Sequence, residues 1–209
     1  MSQSFLIRCL LNIEQKVAVM LNELLSYSLY LYSFLYHLIL PCSVPEQVPA
    51  NSVDRQQYLG RWYFKAAVSQ RQADIQNFRA LDNILFIMEE IDDSTLLLTG
   101  HIRIGDNCLK QNWTYYLHPE KRDLELEGRP KWRSLLWNGQ WANCANCIIL
   151  QEIAPSSNST VRGDSINRYM LYARKDDVDP EVVTTFVRNA ACLKMTASVI
   201  PPQEREVCI

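Results

Sequence analysis

Downstream of residue 59 the chain is cut into eight short apolar or alternating runs separated by turn residues, a pattern that few folds accept. The runs span 60–68, 83–90, 95–103, 110–117, 123–127, 131–137, 147–153 and 167–174. Side chains alternate between the two faces of a strand, so each run divides into a core face and a solvent face. In 123–127, Leu124 and Leu126 point one way while Asp123, Glu125 and Glu127 point the other. Eight consecutive strands with short connections close into an up-and-down barrel just wide enough for one small ligand. One helix follows, with Asp179 as cap, Pro180 at its first position, and Val182, Phe186, Ala190 and Leu193 at helical spacing. The expected fold is all-β: an eight-stranded antiparallel up-and-down barrel, one C-terminal α-helix packed outside it, and an N-terminal apolar segment.

Strand order sorts the barrel residues into two ends. One rim collects Gln111 and Trp113, Gly128 and Arg129, Glu152 and Arg168, and the opposite rim collects Gly60, Trp62 and Arg174. Strand parity turns Trp113 and Tyr115 to one side, and Arg168, Met170 and Tyr172 likewise. Residues 70–79 are polar and too long for a tight turn, as expected of a loop with a helical turn lying over one mouth.

The chain has 209 residues, and its first part reads differently from the rest. Residues 24–45 carry no formal charge, and 24–40 are rich in Leu, Tyr and Phe, long enough to enter a bilayer. The expected division is 1–41 as signal peptide or retained signal anchor, with Met20 as an alternative start; 42–58 as connector; and 59–209 as barrel, helix and tail. Neither Pro41-Cys42-Ser43 nor Val48-Pro49-Ala50 makes a good cleavage site, which favours retention.

Formal charge is -2 with both signs interspersed, leaving no basic face for a nucleic acid. Six of the seven cysteines (Cys42, Cys108, Cys144, Cys147, Cys192 and Cys208) follow the apolar stretch, and an even set in an exported domain points to disulfides. Cys144 and Cys147 have CxxC spacing, but with three histidines and no second CxxC a tetrahedral metal site is not expected. Beyond His37, only His101 and His118 are available as bases, and neither has a Ser or Cys partner near it in sequence. The chain is therefore read as a binding protein without cofactor or metal, and not as an enzyme.

Gly60-Arg61-Trp62 at the head of the first run, with Arg174 closing the eighth, resembles the lipocalin signature, in which a late arginine covers the tryptophan at the closed end. The Thr-Asp-Tyr motif of many lipocalins is missing, which points to an outlying branch. Leu59 through Phe64, Asp82-Asn83-Ile84, Glu127-Gly128-Arg129-Pro130 and Leu171-Tyr172 with Arg174 resemble the apolipoprotein M family in order. Residues 20–42 are similar to that family's retained signal segment. The resemblance implies bridges Cys42–Cys192 and Cys108–Cys208. The third family bridge has a match at Cys144, but its partner position holds Val182, which leaves a local Cys144–Cys147 bond or free thiols.

The same resemblance implies a secreted, monomeric carrier on high-density lipoprotein (HDL), with sphingosine 1-phosphate as ligand. Its phosphate would meet arginines and its amine a carboxylate such as Glu152. The ligand-binding set is then Gln111, Trp113, Tyr115, Arg129, Glu152, Arg168 and Tyr172. Gln111 stands where the family has an arginine, so a retinoid or fatty acid remains an alternative ligand. A membrane-tethered interaction domain with a filled barrel is the alternative function. Asn158-Ser159-Thr160, in a loop, is the expected glycosylation acceptor; Asn112-Trp113-Thr114, on a strand, is a poorer one.

Overall fold

The structure, a computed structural model, describes residues 3–39, 45–50, 58–155 and 165–208, with the side chains of the first helix described over 16–35. It forms two compact units, Met1–Cys42 and Ser43–Ile209. In the first, α1 runs Gln3–Ile39, and its side chains over 16–35 are exposed, among them Leu24, Leu25, Tyr27 and Tyr30. No helix among the described residues is long and apolar enough to cross a membrane. Serines and tyrosines recur between its leucines and dilute its hydropathy.

The second unit begins with β1 (Gln47–Val48), followed by β2 (Gly60–Ser69), β3 (Asn83–Asp92), β4 (Thr95–Ile104), β5 (Asn107–Leu117), β6 (Leu124–Leu126), β7 (Arg133–Asn138), β8 (Cys147–Ala154) and β9 (Ile166–Ala173). After these come α2 (Pro180–Ala191) and β10 (Ala197–Val199). Antiparallel pairing runs from β2 through β3, β4, β5, β6, β7 and β8 to β9, and β9 returns to β2, closing an eight-stranded barrel. The short strands β1 and β10 lie outside this cycle, paired with β7 and with the far end of β2.

Two apolar clusters follow from strand parity. Trp62, Phe64, Phe86, Leu98, Tyr115, Leu136, Leu150 and Tyr172 belong to the interior cluster. The outward faces of β2, β8 and β9 supply Val68, Ile149, Tyr169 and Leu171 to a second cluster under Phe186 and Ala190 of α2. Asp179 caps that helix, accepting from the Glu181 amide at 2.9 Å, and Asn189 Nδ2 ties it to the Trp141 carbonyl at 2.6 Å. A register shift between Phe64 and Ala66 inserts one residue into β2. Such a bulge reverses parity, so Ala67 and Ser69 point inward after it while Lys65 is turned outside. There Lys65 Nζ is buried against the Asp176 carboxylate (3.0 Å) and Gln203 Oε1 (3.1 Å).

Two covalent links are described, Cys108–Cys208 and Cys144–Cys147. The second settles the open alternative for the third bridge in favour of a local bond. Cys192 is also disulfide-bonded, whereas Cys42 and Asn158 lie outside the described residues.

Candidate ligand-binding site

The barrel has two chemically different ends. At one, Gly60 adopts φ +94°, a conformation that glycine alone takes readily, and it lies in contact range of Arg174. The Arg174 guanidinium lies over the Trp62 ring with its carbon 3.9 Å from the centroid, while Nη1 donates to the carbonyls of Leu59 (2.7 Å) and Arg61 (3.2 Å). Trp62 Nε1 donates to the Tyr58 carbonyl at 2.8 Å. This end is sealed by an aromatic ring whose polar edge and outer face are both occupied.

The opposite mouth carries a polar row. Leu124, Ser134, Glu152, Arg168 and Ser69 stand in lateral register across β6, β7, β8, β9 and β2. Arg168 binds one oxygen of Glu152 through Nε (2.7 Å) and Nη2 (2.5 Å), with the two side chains 18% and 11% exposed. Ser69 donates to Asp74 Oδ2 at 2.8 Å.

Asp74 belongs to the segment between β2 and β3, which winds into two 3-10 turns, Gln72–Asp74 and Gln76–Ala80. Ile75 is fully buried within the interior cluster and Phe78 packs against it, so this loop enters the mouth. Arg168 holds the loop as well: its Nη1 donates to the Asp74 carbonyl (2.9 Å), and its guanidinium carbon lies 4.7 Å from the Phe78 ring centroid. Arg71 closes the arrangement with a 2.6 Å bond to Asp74 Oδ1.

Below this row the interior is aromatic. Phe64 contacts Phe78 and Tyr172 at centroid distances of 5.3 and 5.7 Å, and Phe86 contacts Tyr172 and Trp113 at 5.4 and 5.7 Å. Trp113 fits only because Gly100 faces it: a Cβ on Gly100 would come within 2.7 Å of the indole. The lining of the cavity is wholly apolar apart from buried hydroxyls and the Trp62 indole, and includes Trp62, Leu98, Tyr115, Leu150 and Tyr172. The cavity measures about 30 Å³, so the interior is nearly filled.

Burial pushes the Tyr115 and Tyr172 hydroxyls above their ordinary pKa of 10.0, and the nearby Glu152 carboxylate adds to the shift. Arg168 acts on both in the opposite sense, and Arg129 does so on Tyr115.

Of the residues expected in the site, Trp113, Tyr115, Glu152, Arg168 and Tyr172 converge on the interior or its mouth. Gln111 and Arg129 do not join them: both are exposed, and Arg129 stacks on Trp132 with its guanidinium carbon 4.8 Å from the ring centroid. Sequence reading missed Ser134, Asp74 and Phe78. Parity with Leu136 gave a signal for Ser134, whereas no periodicity announces loop residues. His118 Nε2 lies 3.2 Å from Glu125 in an ion cluster shared with Lys121, an arrangement that offers no nucleophile.

Solved structures with a similar fold include the siderocalin Ex-FABP (TM-score 0.55, 13% identity, covering 73% of this chain and 95% of that one). A second, siderocalin Q83, matches with TM-score 0.57 and 15% identity over 75% of this chain and 96% of the other. Apolipoprotein M of Rattus norvegicus is 28% identical over 197 residues, covering 90% of this chain and 97% of the relative, and that of Mus musculus gives the same figures. A family model, the ApoM domain, matches residues 20–209. On the barrel, its sealed end and this match, the chain belongs to the apolipoprotein M family.

Proposed function

We propose that this protein is an extracellular lipid carrier that holds one long-chain amphiphile in the barrel with its head at the Arg168 mouth, and that sphingosine 1-phosphate is the ligand that fits best. The observation that carries this reading is the buried Arg168–Glu152 pair. Removing one partner of a buried ion pair costs about 3–5 kcal/mol, because the other charge is left uncompensated. A fatty acid would draw Arg168 away and strand Glu152, and a neutral retinoid would leave the pair as it is and gain nothing from it. A head bearing both phosphate and ammonium exchanges partners without stranding a charge. Arginine's planar fork suits phosphate oxygens.

The tail supplies affinity. A dozen methylenes at about 0.8 kcal/mol each give about 10 kcal/mol gross, much of it offset by association and ordering costs. Room for that tail is made by moving Ile75, Phe78 and the rings beneath them, since the closed interior has almost none. The small cavity also favours the second reading, a tethered interaction domain with a permanently filled barrel. Titration with lipid separates the two. Sphingosine 1-phosphate should quench Trp113, and Arg168→Ala should weaken it about tenfold to a hundredfold while sparing an uncharged long-chain analogue. The Arg168→Ala/Glu152→Gln variant controls for the stranded carboxylate. Absence of any lipid effect on the native protein would favour the filled barrel.

Two further features belong to this reading. The exposed apolar side chains of α1 are the proposed attachment to HDL, by insertion into the lipid surface, with the domain division and monomeric state as read from the sequence. Asn158 is the proposed glycan acceptor. Asn112, exposed on β5, is the secondary one. Flotation of full-length and 41-residue-truncated protein, and peptide mapping after deglycosylation, test these assignments.

A further inference from the structure

β5 is a long strand with a short neighbour. It pairs with β4 from Asn107, opposite Ile104, to Tyr116, opposite Thr95, but with β6 only at 115–117, and one further bond joins the Glu127 amide to the Thr114 carbonyl. The two-residue turn Gly105-Asp106 fixes which backbone groups face β4. The pair flanking such a turn exchanges both hydrogen bonds, and bonded and non-bonded pairs alternate from there. Asn107, Leu109, Gln111 and Trp113 therefore bond to β4, whereas Cys108, Lys110 and Asn112 turn their N–H and C=O groups toward the side on which the Thr114 carbonyl meets Glu127. No backbone partner meets those three among the described residues, and 107–112 are exposed. The barrel wall thus carries an open strand edge, a template for another extended chain.

We propose that the β5 edge at 108–112 is a docking site for an extended, acidic segment of a partner protein, which adds to the sheet as a strand. The site lies outside the cavity and stands independently of the lipid reading. Strand parity puts Lys110 on the outer face, with His101 opposite it on β4 and Arg103 next along. Arg129 and Lys131 are exposed on the turn that follows Glu127, across the opening. Lys110, Arg129 and Lys131 have no carboxylate partner among the described residues. The nearby acids are engaged, Asp106 by Arg205 and Glu127 by the Tyr116 hydroxyl at 2.9 Å. On the inner face Leu109 is 51% exposed. An added strand with a carboxylate at every second position sets its acids against Lys110 and its apolar residues against Leu109. A second copy of this chain is the poorer occupant, because pairing two such edges about their centre brings Lys110 against Lys110.

The test uses the full chain carrying Asn112→Gln, which leaves no glycan acceptor on this edge, and a blocked peptide of alternating valine and glutamate as probe. In the free protein the Lys110 amide should exchange with solvent rapidly while those of Gln111 and Trp113 exchange slowly, and the peptide should slow Lys110. A peptide with lysine in place of glutamate should bind at least about tenfold more weakly, and one N-methylated throughout should not bind. Lys110→Ala should weaken the acidic peptide about twofold to fivefold. Lys110→Pro breaks no bond to β4 and should melt with its parent, yet it should abolish binding, since it removes the donor and sets a ring in the path of the added strand. Slow exchange at Lys110 in the free, dilute protein would show the edge already covered and overturn the proposal. Protection that grows with protein concentration alone would assign the edge to a second copy, with the same consequence. Failure of the acidic peptide to bind, or binding that survives both N-methylation and Lys110→Pro, also overturns it.

Discussion

The Arg174 guanidinium covers the Trp62 ring at 3.9 Å while donating to the Leu59 carbonyl, so one side chain from the end of β9 clamps the start of β2. A cation over an indole contributes about 0.5–2 kcal/mol, and a hydrogen bond from a charged group about 1.5–3 kcal/mol. Arg174→Ala should therefore lower the free energy of unfolding by about 2–4 kcal/mol, measured by denaturant titration. Arg174→Lys should recover only part, since an ammonium cannot lie flat on the ring and reach the carbonyl together. Lipid affinity should hold, because this clamp is at the end away from Arg168.

Gly100→Ala probes the packing of the throat. The added methyl would fall 2.7 Å from the Trp113 ring and 2.9 Å from that of Phe86, too close for either to remain in place. Overpacking of this kind costs about 1–3 kcal/mol. The variant should show an altered tryptophan emission spectrum and a lower melting temperature. An unchanged spectrum would mean that Trp113 does not lie over Gly100.

Alkaline pH should unfold the barrel. Burial raises the Tyr115 and Tyr172 hydroxyls above 10.0 in the folded chain, whereas in the unfolded chain they ionise near that ordinary value. The stability they confer is complete below about pH 10 and is lost as pH climbs through the folded values. Tyrosinate absorbance should rise together with loss of β-sheet signal, and Tyr172→Phe should lessen the loss. Ionisation of both tyrosines near pH 10 with the sheet intact would contradict their burial.

Alternation made the barrel legible. All eight barrel strands and the capped helix stand where periodicity places them, and strand order assigned Trp62 with Arg174 and Glu152 with Arg168 to opposite ends. The two-residue β1 and three-residue β10 are too short to carry a period. Parity gives the face of a side chain but not its partner, so Arg168 and Glu152 could be read as two ligand contacts without revealing that they first bind each other. Gln111 and Arg129 project into solvent, which strand order and parity do not reveal. The near-filled interior depends on how Ile75 and Phe78 fold inward from a loop, which no pattern of the strands records.

The two described disulfides should differ in worth. Cys108–Cys208 closes a span of 100 residues and Cys144–Cys147 a span of 3. On chain entropy, the first should contribute about 4–5 kcal/mol and the second about 2 kcal/mol. Paired Cys→Ser variants compared by denaturant titration should rank in that order. Equal losses would show that the Cys144–Cys147 loop is supported by native contacts that the bond itself organises, such as the close backbone approach at Gly139.

The most direct test of the central claim is native mass spectrometry of the protein secreted by eukaryotic cells, with the bound species released and identified. The expected result is a one-to-one complex with a long-chain lipid whose head carries both an amine and a phosphate, lost from the Arg168→Ala/Glu152→Gln variant. A protein that emerges empty at native stability, or carries fatty acid or retinoid undiminished in that variant, would contradict it.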